Sequence, residues 1–141
     1  MGELEYPAIL VVDDEPVVRN LINLALHHDY IVLLAEDGVR ALEIAEAFPG
    51  RIRLLMTDLN MPRMGGLEAA RRFLAQRPST QVLLMSGGLG AGWPKDDPRY
   101  SFLAKPFSVS IIRMAVETVL NEGRLPEPSC AATRLFTTFT G

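Results

Sequence analysis

Three carboxylates, a hydroxyl and an ammonium stand out because each closes a short apolar run. Asp13 and Asp14 follow Ala8 to Val12, and Asp58 follows Ile52 to Thr57. Ser86 follows Gln81 to Met85, and Lys105 follows Tyr100 to Ala104. If these runs are parallel strands, their carboxyl ends share one rim, and open α/β sheets bind their ligands there. Carboxylates a few ångströms apart cannot all stay ionised without cost, so either one binds a proton or a cation sits among them. Hard oxygen donors suit Mg2+ better than zinc. A bound Mg2+ also accepts phosphate oxygens, Lys105 adds a point charge beside them, and Ser86 adds a hydrogen-bond donor. The set is suited to holding a phosphoryl group on or near a carboxylate.

The elements that must position these groups follow from the spacing of apolar residues. Ala8 to Val12 is β-branched and reads as a strand buried on both faces. Pro16 suits the first turn of a helix, where its missing N–H costs nothing. Val17, Val18, Leu21, Ile22, Leu24 and Ala25 form that helix's apolar face, as far as His27-His28. Ile31 to Ala35 reads as a second strand. Asp37 caps a helix that turns Ala41, Leu42, Ile44, Ala45 and Phe48 inward and stops at Pro49-Gly50. After the third strand, Asn60 to Gly66 is a loop, and Leu67, Ala70, Phe73 and Leu74 face inward from a helix that Pro78 breaks. Ser108 caps a last helix with Ile111, Ile112, Ala115, Val116, Val119 and Leu120 inward, closed by Gly123. Five strands interleaved with helices predict a parallel sheet covered on both faces. Between strands four and five, residues 87–98 hold four glycines and two prolines, which opposes a regular helix there. A short distorted turn or loop is expected instead. Trp93 within it is either an exposed binding anchor or folds back onto the sheet.

Composition narrows the classes. A chain of 141 residues is one domain's worth, and 48% apolar with 22% charged residues excludes wholesale disorder. Fourteen basic against 17 acidic residues, a net charge of −3, argue against a polycation for nucleic acid or anionic membrane. The one cysteine, Cys130, excludes a disulfide framework and a cysteine-based zinc site. The apolar runs fall far short of the roughly 20 residues that span a bilayer. Met1 to Glu5 lacks the basic start of a signal peptide, so the expected location is cytoplasmic. Residues 1–123 are expected to form the domain. Residues 124–141 form a tail that either stays mobile or adds to a sheet edge. Arg124 and Arg134 are its basic residues, and without a helix-turn-helix pattern it predicts no effector domain and no direct DNA binding.

Four ordered segments carry a resemblance: Ile9-Leu-Val-Val-Asp-Asp-Glu-Pro16, Met56-Thr-Asp-Leu-Asn-Met-Pro-Arg-Met-Gly-Gly66, Leu83-Leu-Met-Ser86 and Phe102-Leu-Ala-Lys-Pro-Phe107. Over residues 7–122 the chain resembles the receiver domains of two-component response regulators, free-standing or joined to a hybrid kinase. The resemblance implies an α/β, flavodoxin-like, doubly wound five-stranded parallel sheet of order 2-1-3-4-5, here with its fourth helix short, distorted or missing. It implies a signalling switch in a two-component system or phosphorelay rather than an enzyme. Asp58 would be the phosphoacceptor, taking the group from a sensor histidine kinase or a histidine phosphotransfer protein and passing the signal to a downstream protein. Asp14, Asp58 and the backbone carbonyl of Asn60 would ligate Mg2+ or Mn2+, with Asp13 acting through a metal-bound water. Lys105 and Ser86 would hold the phosphoryl oxygens, Phe102 matches an aromatic switch position, and the Lys105-Pro106 peptide would be cis. Phe102 is equally readable as plain core packing; Asp14 reads as a mere helix cap only when taken apart from Asp13, Asp58 and Lys105.

Two rival classes remain at this stage. One is an aspartyl-phosphate phosphatase of haloacid-dehalogenase type. Such enzymes place an Asp-x-Asp motif after the first strand, whereas here the acids are adjacent and Asp58-Leu59-Asn60 lacks the second one. The other is a phosphorylation-independent interaction module, although nothing in the set of polar residues looks degenerate.

Overall fold

In Ala8–Val12 no side chain is polar and all five residues are buried, as strand β1. A computed structural model describes residues 6–88 and 92–126. The remaining elements are α1 (Pro16–Leu26), β2 (Ile31–Ala35), α2 (Gly38–Ala47), β3 (Ile52–Asp58), α3 (Gly66–Gln76), β4 (Gln81–Ser86), β5 (Tyr100–Ala104) and α4 (Val109–Glu122). The strands form one parallel sheet in the order β2-β1-β3-β4-β5. The order reverses beside β1, so the carboxyl ends of β1 and β3 lie next to each other at the switch point where such sheets bind ligands.

Alternation along each strand sends side chains to two separate cores. Leu10, Val12, Leu55 and Leu84 pack with Ala41, Ala70 and Phe73 beneath α2 and α3. Ile9, Val11, Leu54, Met56, Leu83 and Met85 pack with Ile22, Ala25, Ile112 and Val116 beneath α1 and α4. The helix ends follow ordinary capping chemistry. Pro16 opens α1, the Asp37 carboxylate accepts the Arg40 N–H at 2.9 Å, Ser108 Oγ accepts the Ile111 N–H at 3.2 Å, and Gly123 closes α4 at φ 86°. Asp14 caps nothing: Glu15 holds the N-cap position of α1 and offers no side-chain cap.

Two expectations need correction, and one pair of alternatives is decided. Val17 and Leu24 do not face inward; they are 77% and 61% exposed. Seven residues apart, they share one outer line of α1, while Ile22, Ala25 and Leu26 fill the inner one. Of the two readings of Trp93, the one that folds it back onto the sheet holds. The residue is 5% exposed, with its ring stacked on Phe102 at 6.2 Å and 19°. No helix stands between β4 and β5 among the described residues, and this one large ring covers sheet surface that a helix would otherwise cover. Finally, the packed chain runs past residue 123: Leu125 is 3% exposed in the α1–α4 core, and its N–H donates to Ser101 Oγ at 2.9 Å. The rest of the expected tail, Cys130 included, lies outside the described residues. Among those described, no helix is long and apolar enough to cross a membrane.

Candidate functional site

Register places the polar strand ends on one rim. Val12 pairs with Thr57, Asp58 with Met85, and Ser86 with Ala104, so the residues ending β1, β3, β4 and β5 come level. Asp13, just beyond β1, is fully buried. Its Oδ1 accepts the Glu15 N–H at 2.9 Å and its Oδ2 accepts from Lys105 Nζ at 2.8 Å. Asp58 is 6% exposed, with Oδ1 accepting the Asn60 N–H at 3.3 Å and Oδ2 standing 3.5 Å from Lys105 Nζ. Asp14 turns to solvent at the mouth. Asp13, Asp14 and Asp58 each offer one oxygen within 4.8 Å of the others.

The opposite wall is Ser86 and Lys105. Their backbones are tied, the Lys105 N–H donating to the Ser86 carbonyl at 2.8 Å, and the Lys105-Pro106 peptide is cis. Ser86 Oγ accepts the Gly88 N–H at 3.0 Å and meets Asn60 Nδ2 at 3.5 Å, so the hydroxyl sits in a local turn. Phe102 does not reach the rim; it is 6% exposed and packed in the α2–α3 core with Trp93. Behind Asp58 the chain is crowded: a Cβ on Gly66 would stand 2.1 Å from the Asp58 carbonyl oxygen, so this position excludes any side chain.

The electrostatics follow from burial. Burial pushes the Asp58 carboxyl up from the ordinary carboxylate range, and Asp13 adds to the rise; Lys105 and the Asn60 N–H pull against it without cancelling it. For Lys105, burial opposes the charge, but the Asp13 hydrogen bond and the charges of Asp13, Asp58 and Glu15 outweigh it and hold the ammonium above its usual range. One ammonium thus stands against three carboxylates. An all-oxygen donor set with excess negative charge fits a hard divalent cation, and this acidic cluster could hold one.

Two residues of the site escaped the strand-end pattern. Glu15 approaches Lys105 at 3.7 Å, and Arg19 donates to the Asp13 carbonyl at 2.6 Å, pinning the end of β1 from inside α1. Arg19 lies six residues from Asp13, within reach of one turn and a half of helix, and only a known α1 start would have picked it out.

Comparison with known proteins agrees with the geometry. Residues 9–117 match the family model for the response regulator receiver domain. The chain is 32% identical over 133 residues to Response regulator MprA of Mycobacterium ulcerans (strain Agy99), covering 87% of this chain and 54% of the relative. It is 30% identical over 118 residues to Sensor kinase CckA of Brucella abortus (strain 2308), covering 81% of this chain and 12% of the relative. Among solved structures, chemotaxis protein CheY4 of Vibrio cholerae superposes with a TM-score of 0.70 at 26% identity, covering 82% of this chain and 99% of that one. The receiver domain from hybrid histidine kinase CckA gives 0.65 at 31%, covering 81% and 99%. The chain therefore spans about half or less of these curated relatives and nearly all of the solved chains.

Proposed function

The chain belongs to the response regulator receiver family, the receiver domains of two-component systems, and from that premise we propose that Asp58 is its phosphoacceptor. The donor is the phosphohistidine of a sensor kinase or of a histidine phosphotransfer protein in the cytoplasm. An Asp58 carboxylate oxygen forms the new O–P bond as the P–N bond to the imidazole breaks, and the ring nitrogen leaves with the electron pair. The observation that carries this reading is the placement of Asp58: 6% exposed, grouped with two further carboxylates, and 3.5 Å from Lys105 Nζ.

Asp14, Asp58 and the Asn60 carbonyl would hold Mg2+ or Mn2+, with Asp13 acting through a water. The cation supplies charge neutralisation for the phosphoryl oxygens, the main requirement of phosphoryl transfer. Lys105 bridges Asp13 and Asp58 in this structure and is close enough to exchange a carboxylate partner for a phosphoryl oxygen. Ser86 becomes a donor by releasing its turn. A phosphoryl group brings roughly one and a half to two negative charges, and gaining Lys105 and Ser86 as partners biases the loops that carry them. The output is a changed protein contact rather than turnover of a phosphate monoester.

Acetyl phosphate with Mg2+, or the cognate kinase, is expected to add one phosphoryl group, read as a mass increase of the intact protein. Asp58→Asn is expected to add none. Labelling of that variant at the wild-type rate would remove Asp58 from the role.

A further inference from the structure

The loop after Asp58 holds its shape through a residue that conformational preference alone would not place there. Its ends are fixed by backbone: the Leu59 N–H donates to the Met85 carbonyl at 2.9 Å, and the Gly66 N–H to the Leu59 carbonyl at 3.0 Å. Between these ends the Pro62 carbonyl accepts the Met64 N–H at 2.8 Å, closing a three-residue turn around Arg63. Arg63 has φ 69° and is the one non-glycine residue with positive φ among those described. A γ-turn with positive φ is the rare and strained form. Such a residue persists where its surroundings over-determine it.

The surroundings here are the N-terminus of α2. The Arg63 guanidinium pairs with Asp37 Oδ2, whose other oxygen is committed to the Arg40 N–H as the α2 cap. Asp37 is 4% exposed, so Arg63 supplies the compensating charge of a buried carboxylate. The next residue, Met64, seats against Gly38, where a Cβ would stand 3.0 Å from Met64 Sδ. The crest of the loop is thus fastened to α2 by one ion pair and one contact. Asn60 lies in the same loop, three residues before Arg63.

We infer that Arg63 is a positioning residue: by pairing with Asp37 it holds the 60–65 loop so that the Asn60 carbonyl faces the metal. This rests on the metal assignment proposed above. Asn60 is itself tied to the rim through its N–H, which donates to Asp58 Oδ1, and its side-chain amide, which meets Ser86 Oγ; its carbonyl belongs to the next peptide, on the side of the loop that the crest anchors.

The test is Mg2+ titration of the full chain by calorimetry, with metal-free thermal midpoints measured alongside. The variants are Arg63→Ala, Arg63→Lys, Asp37→Asn and the double Arg63→Ala/Asp37→Asn. Asparagine keeps an acceptor for the α2 cap while removing the charge. Loss of an outer support of a metal site commonly weakens binding about 10- to 100-fold; Arg63→Ala and Asp37→Asn are each expected near the lower end. The double variant should bind no more weakly than the worse single, because both remove one interaction. Arg63→Lys should recover most of the affinity. Lowered midpoints with unchanged affinity would make the pair merely structural and overturn the inference, and multiplicative losses in the double variant would overturn the pairing. A wild-type protein that binds no Mg2+, or binds it equally well after Asp14→Asn, would instead overturn the metal assignment beneath it.

Discussion

At the scale of the residue, Asp58 carries an electrostatic cost in the fold. Burial and Asp13 raise its pKa above the ordinary carboxylate value, so the folded chain binds this proton more tightly than the unfolded chain. Stability therefore falls as pH rises from the unfolded value to the raised one. Lys105 has the opposite sign: its raised pKa contributes stability that is complete at neutral pH and is lost only as pH climbs through the folded value. Replacing Asp58 by Asn removes the cost and leaves Lys105 its 2.8 Å bond to Asp13. In metal-free buffer, Asp58→Asn is expected to melt a few degrees above wild type at neutral pH. The gap should close as pH falls towards roughly 3, where carboxylates are protonated in both states. Thermal melts across that range check this, and curves with a constant offset would contradict it. Asp13, Asp14, Asp58, Ser86 and Lys105 were legible in the sequence because each follows an apolar run. Arg63 was not, since a single left-handed arginine has no periodic signature, and neither was the role of Gly66 in the same loop. The observed need at Gly66 is space beside the Asp58 carbonyl.

At the scale of the element, strands were easier to read than helix faces. A strand buried on both sides is a continuous apolar run whichever way it faces, whereas a helix rich in valine and leucine can be rotated and still look amphipathic. For that reason Val17 and Leu24 read as inward in the sequence and lie outside in the fold. The segment before β5 was legible only as a place where no helix forms. Glycine and proline say what the backbone avoids, and one tryptophan among them has no period to give its direction. The structure puts Trp93 against Phe102 and leaves its indole Nε1 the one buried side-chain polar atom without a partner among the described residues. Two effects of opposite sign then separate by substitution. Trp93→Ala loses a buried aromatic ring and is expected to cost about 3–5 kcal/mol. Trp93→Phe keeps a ring and removes the unpaired N–H, whose burial costs about 1–3 kcal/mol, so its loss should be under about 1.5 kcal/mol. Urea denaturation of both variants measures the difference. An alanine variant as stable as wild type would show that the ring covers nothing that matters.

At the scale of the molecule, the sheet separates two apolar cores and brings the polar strand ends together at one rim, so the charge problem of the site becomes a property of the whole fold. The order β2-β1-β3-β4-β5 makes β1 and β3 adjacent, and their ends cannot be drawn apart without breaking the central pairing. Three carboxylates held there against one ammonium leave an excess of negative charge that a bound cation could offset. A cation that binds the folded state and not the unfolded one stabilises by mass action, about 2.7 kcal/mol when its concentration is 100 times Kd. For a domain of this size that is a rise in Tm of several degrees. The proposed site therefore predicts that Mg2+ raises the melting temperature of wild type over its EDTA-treated form, and that the rise shrinks in acid as protons compete for the same oxygens. Asp14→Asn and Asp58→Asn should each lose most of the rise, while the exposed Arg40–Glu43 pair on α2 offers a control, since altering Glu43 touches no rim residue. The contrast decides between a built site and ionic strength: if Mg2+ lifts the Asp14→Asn protein as much as wild type, the stabilisation comes from screening alone and the rim holds no ion. If the lift disappears with Asp14 and survives without Glu43, the cost of burying Asp58 is met by a cation bound at the rim.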